Sequence, residues 1–146
     1  MTTHIGGPEA PEKLASRQRR YEQTDSKQYR IVAPDGQSAG YVGYWEREWQ
    51  GEEVWEVGWA VLPEFQGRGF ATAGMQLLLE VIRQDDADRS VHAFPSVHNV
   101  PSNAVCRTLG FELQGEHDFE YPPGNLLRCN DGRLEAGAAQ VIDREP

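Results

Sequence analysis

Cysteine is scarce in this 146-residue chain: Cys106 and Cys129 are the two it has, with no CxxC pair or histidine cluster nearby. That excludes a disulfide framework and offers no ligand set for a structural metal. The four histidines, His4, His92, His98 and His117, are scattered, so no metal is expected. No apolar run approaches the roughly 20 residues of a membrane span. The opening MTTHIGGPEAPEK lacks the charged-then-apolar pattern of an export signal, so a cytoplasmic protein with no membrane partner is expected. Positive charge is also short, with 14 Lys and Arg against 23 Asp and Glu and a net charge of −9. Nucleic-acid binding needs Lys and Arg to neutralise phosphates, so that partner class is excluded. The field of such a molecule favours cationic substrates.

What is present suffices for one core and not for two. Residues 1–10 read as disordered and 11–23 as a charged helix. Tyr29 to Val32 and Ala39 to Trp49 read as strands joined by a Pro34-Asp35-Gly36 turn, with a second turn at Gln50-Gly51-Glu52. Val54 to Leu62 is rich in Val and Trp and reads as a buried strand. From Phe70 to Gln84 the residues Ala71, Met75, Leu78, Leu79 and Ile82 fall on one helix face. A loop at 85–88, a strand from Val91 to Phe94, a helix from Pro101 to Leu109 and a strand from Phe111 to Tyr121 are expected next. A short last strand from Asn125 to Cys129 completes one domain over 1–130, and 131–146 reads as a Gly- and Ala-rich tail.

The stretch Leu62-Pro-Glu-Phe-Gln-Gly-Arg-Gly-Phe-Ala-Thr-Ala-Gly74 places its glycines at a strand-to-helix junction. A helix opening after a tight turn offers unpaired N–H groups and the positive end of its dipole to an anion. A Walker loop would need Lys and then Ser or Thr after its last glycine, where Met75 and Gln76 stand. A dinucleotide fingerprint would need a third glycine at Thr72. With both excluded, backbone amides would carry the anion, which suits a pyrophosphate. A plain tight turn fits the glycines equally well.

Gln66-Gly67-Arg68-Gly69-Phe70-Ala71 resembles the Q/R-x-x-G-x-G/A signature of the GNAT acetyltransferase superfamily. Asn99-Val-Pro-Ser102, running on to Leu109-Gly110-Phe111, resembles the family's second motif. Glu56-Val-Gly-Trp-Ala-Val-Leu-Pro63 is similar to the strand before the pyrophosphate loop in the branch of ribosomal-protein N-terminal acetyltransferases. The resemblance implies an α/β (α+β) fold: a mixed, mostly antiparallel central sheet flanked by helices and splayed at the donor site. It also implies acetyl-coenzyme A as acetyl donor and a primary amine as acceptor. The pyrophosphate would lie on the amides of Gln66, Gly67, Arg68, Gly69, Phe70, Ala71 and Thr72. Backbone of Ala60, Val61 and Leu62 would pair with the pantetheine arm, and Asn99 would touch it from the other side.

The same resemblance assigns the chemistry. Glu56 is the expected base; flanked by Trp55 and Val57, its proton affinity would rise by desolvation. The residue alone fits an outward-facing strand glutamate better, and it is the position in the family motif that favours the base. The family's usual tyrosine acid is replaced by Cys106, which reads as a small core residue. Ser102 is the expected acid toward the thiolate and a donor-site residue, and it also fits a helix cap. Tyr121 is a remoter acid and His98 the next base to consider. Arg17, Arg19 and Arg20 read as a solvated face rather than phosphate ligands. The tryptophans Trp45, Trp49, Trp55 and Trp59 read as core or as walls of an acceptor pocket. Only a short polar segment precedes Tyr29 where the family has a further strand, so the acceptor side is expected to be open. A second subunit, as in a homodimer, or the C-terminal tail would complete it. An acyl-coenzyme A binding domain without turnover is the rival reading.

Overall fold

A computed structural model of the chain describes residues 26–120 and 123–137. Strands β1 (Lys27–Val32), β2 (Ser38–Trp49) and β3 (Glu52–Val61) are followed by a 3-10 turn at Pro63–Phe65 and helix α1 (Phe70–Asp86). Then come β4 (Ser90–Ala93), helix α2 (Val100–Leu109), β5 (Glu112–Glu120) and β6 (Leu126–Glu135). The six strands form one sheet in the order β1-β2-β3-β4-β6-β5. The β3–β4 pair is parallel and its neighbours are antiparallel, the mixed arrangement expected. The expected disorder at 1–10, helix at 11–23 and acid Tyr121 fall outside the described residues.

Local chemistry sets the hairpins. Asp35 Oδ1 accepts the Gln37 N–H at 3.0 Å, and the Gly36 N–H donates to Ala33 O at 2.8 Å, closing the first turn. Trp49 pairs with Glu52 across the two-residue loop Gln50-Gly51, both at positive φ. That is the backbone hand that matches the twist of a hairpin.

Alternation along each strand sorts the side chains. One face carries Val42, Tyr44, Trp55, Val57, Val91 and Leu134 against α1, whose Met75, Leu78, Leu79 and Ile82 are buried. Truncating Met75 or Ile82, each fully buried, to alanine would cost about 2–5 kcal/mol. The opposite face carries Trp45, Arg47, Trp49, Glu56, His92, Phe94, His117, Phe119, Cys129 and Asp131.

Two expected boundaries move. Helix α1 continues through Asp85 and Asp86, where a loop was expected. Asp85 Oδ2 accepts from Lys27 Nζ at 3.0 Å and from the Tyr44 hydroxyl at 2.8 Å, so side-chain bonds to β1 and β2 hold the last turn. The last strand runs to Glu135, so residues 131–135 are strand and not tail. Ser90 to Ala93 pair with Glu135 to Gly132 on one side of β6, while β5 pairs on the other. Composition misled here because Asp131, a polar residue beside a glycine, is 1% exposed.

Candidate active site

The sheet splits between β3 and β4. Their rungs are Trp55 with Val91, Glu56 with His92 and Val57 with Ala93, after which β3 runs on to Val61 unpaired on that side. Beyond Ala93 the chain follows β6 instead: the Val97 N–H donates to Arg128 O, and Asn130 N–H to Pro95 O. Leu62 N–H donates to Ala39 O at 2.8 Å, so it faces β2 rather than the gap. Antiparallel alternation turns Ala60 the same way and directs the backbone of Trp59 and Val61 into the gap.

At the end of β3 the Gln66 side chain donates to Val61 O at 3.0 Å, tying the loop to the strand. Gly67 and Gly69 have φ of +78° and +80°. A Cβ at either would meet nothing within 4 Å, so the loop's outer surface is open. Gly69 is the N-cap of α1, with no side-chain cap and no acidic residue in the first turn, where Phe70, Ala71 and Thr72 stand. The helix amides are thus left to an outside acceptor. Arg68 rides over the Phe65 ring at 5.5 Å. Trp59 Nε1, beside the gap, is buried with no hydrogen-bond partner. An uncapped amide-rich helix start and an unused indole donor fit an anionic, amide-bearing ligand.

On the face opposite α1, Glu56 is buried, 8% exposed. Its surroundings are not simply apolar: Oε1 accepts from the Trp45 indole at 3.1 Å and from Arg47 at 2.8 Å. The Arg47 guanidinium in turn lies 5.1 Å from the rings of Trp49 and Phe94 and 5.3 Å from Phe119. Beside Glu56, His92 Nδ1 is 2.6 Å from Asp131 Oδ1, and Trp49 Nε1 donates to Oδ2 at 3.0 Å. The Cys129 thiol is pushed up to about 11, by burial first and then by the charges of Glu56 and Asp118. Sequence reasoning missed Arg47, His92 and Asp131. The signal for His92 was the period of two in Val91-His92-Ala93-Phe94; Asp131 carried none, lying past the expected strand end.

Across the gap, α2 begins at Asn99, whose side chain accepts the Ser102 N–H at 3.0 Å. Asn99, 2% exposed, is therefore the helix cap, the alternative role that the sequence also allowed for Ser102. Ser102 sits one turn in, 6% exposed. Cys106 lies in the core, and burial pushes its thiol up to about 12, outweighing the opposing effect of Arg107. Trp55 is core, packed edge-on to Tyr44 at 5.1 Å, while Trp45 and Trp49 wall the opposite face. His98, in the loop after β4, is not in that cluster; its N–H donates to Ser96 Oγ.

The family described as acetyltransferase (GNAT) domain matches residues 1–112. The chain belongs to the GNAT acetyltransferases. The uncharacterized N-acetyltransferase YnaD of Bacillus subtilis (strain 168) is 29% identical over 75 residues. That match spans 51% of this chain and 44% of the relative's length, less than half of it. A GnaT-family acetyltransferase from Bordetella pertussis superimposes with a TM-score of 0.63 at 25% identity, over 84% of this chain and 74% of that one. RimL, a ribosomal L7/L12 alpha-N-protein acetyltransferase in complex with coenzyme A, gives a TM-score of 0.64 at 25% identity, over 85% of this chain and 67% of that one. The mixed sheet with its two described helices is that of a GNAT fold.

Proposed function

We propose that this GNAT chain is an N-acetyltransferase that moves the acetyl group of acetyl-coenzyme A directly to a primary amine, a protein N-terminus or a small amine. The observation that carries the reading is the open Gly67–Gly69 turn at the uncapped start of α1, beside the split in the sheet. Coenzyme A bound to the RimL relative supports the same ligand class here. The donor supplies an activated thioester carbonyl; everything else falls to the chain. Amides from Gln66 to Thr72 bind the pyrophosphate, Arg68 adds charge, and backbone directed into the gap at Val61 pairs with the pantetheine arm. Alternation gives Ala60 and Leu62 side-chain contacts there rather than backbone ones. Asn99 holds the start of α2 so that Ser102 faces the sulfur.

Glu56 then takes the ammonium proton, and Ser102 gives its hydroxyl proton to the departing thiolate as it takes up the proton the acylated nitrogen sheds, so the serine ends neutral. The anionic, aromatic face around Glu56 suits a cationic acceptor. Mass spectrometry of an amine panel incubated with protein and acetyl-coenzyme A tests the reading. A single added acetyl group on an amine supports it; donor binding with no product on any amine would make the chain a binding domain instead.

A further inference from the structure

Glu56, Asp131 and His92 share the face opposite the helices, and the reading above uses one of the three. His92 is 2% exposed, with Nδ1 2.6 Å from Asp131 Oδ1. Asp131 is itself fixed by the Trp49 indole. Opposite a carboxylate, Nδ1 carries the ring proton and Nε2 is left with its lone pair. That Nε2 is buried and has no hydrogen-bond partner. Folded chains seldom leave such an atom unused.

His92 and Glu56 face each other across one rung of the parallel β3–β4 pair, and the next rung is the last before the split. Adjacent strands lie about 4.8 Å apart, so both side chains rise side by side from one face. Glu56 Oε1 already receives the Trp45 indole and the Arg47 guanidinium. Those donors fit a carboxylate better than a carboxylic acid, so a proton collected there needs an onward acceptor.

We propose that His92, oriented by Asp131, is that acceptor and completes a relay from the acceptor ammonium through Glu56 to Nε2. The proposal rests on Glu56 meeting the amine, as argued above. The ammonium N–H bond breaks with its electron pair left on nitrogen, and an O–H bond forms at Glu56. Nε2 has no hydrogen-bond partner, so the next step runs across one bridging water. The Glu56 O–H bond breaks as N–H forms at Nε2, leaving Glu56 anionic and an imidazolium against Asp131, and the proton returns to solvent through the same water between turnovers. The other groups facing this pair are Arg47 on β2, His117 on β5, and Cys129 and Arg133 on β6. The Cys129 thiol, at about 11, stays protonated at neutral pH and does not intercept the proton. Arg133 is engaged by Glu135 and Glu52.

The test compares coenzyme A release by wild type, His92→Gln and Asp131→Asn with two acceptors. One is a primary alkylamine, protonated at neutral pH; the other is an acyl hydrazide, neutral there and able to give its proton to water after attack. For His92→Gln the relay predicts about a 10²-fold loss with the alkylamine and under about 10-fold with the hydrazide. Asp131→Asn should show the same selectivity at smaller size. Acetyl-coenzyme A should raise the melting temperature of both variants as it does for wild type. Should His92→Gln not fold, Asp131→Asn carries the comparison. Equal losses with both acceptors, or none, overturn the relay while leaving acetyl transfer intact. A wild type that releases no coenzyme A with any amine overturns the acetyltransferase reading itself, and the relay with it.

Discussion

Glu56 on β3 and His92 on β4 stand on the same rung of the parallel pair, one rung short of where the strands divide. Each carries its own fixed partner, Arg47 for the carboxylate and Asp131 for the imidazole. The four side chains thus stand on four neighbouring strands, β2, β3, β4 and β6, at the mouth of the gap.

Replacing Glu56 by glutamine should lower turnover by about 10²–10⁴-fold while acetyl-coenzyme A affinity holds, because the lost proton transfer belongs to the transition state. Stability should fall by about 1–3 kcal/mol as Arg47 loses its charged partner. A larger loss is not expected, since the Arg47 side chain is 25% exposed and keeps three aromatic rings around it. Steady-state kinetics and urea denaturation separate the two effects. Wild-type turnover in this variant would remove Glu56 from the reaction.

Gly69→Glu should abolish acetyl-coenzyme A binding while leaving the fold standing. The new Cβ meets no atom within 4 Å, so the cost is the backbone strain of a side chain at φ +80°, about 1–2 kcal/mol. The carboxylate, however, would stand among the amides offered to the pyrophosphate. Ligand binding to the native state raises its melting temperature. A shift equal to that of wild type would contradict the phosphate-cradle assignment.

Asn99→Ala and Ser102→Ala should part company. Asn99 accepts the Ser102 N–H at the start of α2, so its loss should cost about 0.5–2 kcal/mol of stability. Ser102→Ala keeps that cap, and its larger effect should be on kcat. The reverse pattern in paired thermal melts and kinetics would return Ser102 to a structural role.

High pH should destabilise the protein between about 9 and 12. Burial and then the bond to Asp85 push the Tyr44 hydroxyl from 10.0 to about 12, and burial pushes the Cys106 and Cys129 thiols from 9.0 to about 12 and about 11. Within that window the unfolded chain has lost protons that the folded chain keeps, so stability falls as pH rises. Below pH 9 these groups hold their protons in both states and contribute no slope. Tyr44→Phe should flatten the fall above pH 10 in urea denaturation series; an unchanged slope would contradict the buried, neutral hydroxyl.

Local signals carried much of the fold. The apolar spacing from Ala71 to Ile82, the turns at Pro34-Asp35-Gly36 and Gln50-Gly51, and the glycines of the loop all act within a few residues, so the sequence displays them directly. What escaped depends on partners distant along the chain. Helix α1 holds its last turn through Lys27 and Tyr44, 58 and 41 residues from Asp85. Strand β6 outruns its composition because β4 and β5 both pair with it. At the candidate site, Glu56 and Asn99 stood out by motif, while Asp131 gains its place only through His92, 39 residues away.

Release of coenzyme A thiol from acetyl-coenzyme A, followed with and without a primary alkylamine, tests acetyl transfer most directly. The predicted result is release that depends on the amine, saturates in both substrates and disappears in Gly69→Glu. Release that no amine accelerates, in a protein that acetyl-coenzyme A still stabilises, would contradict it.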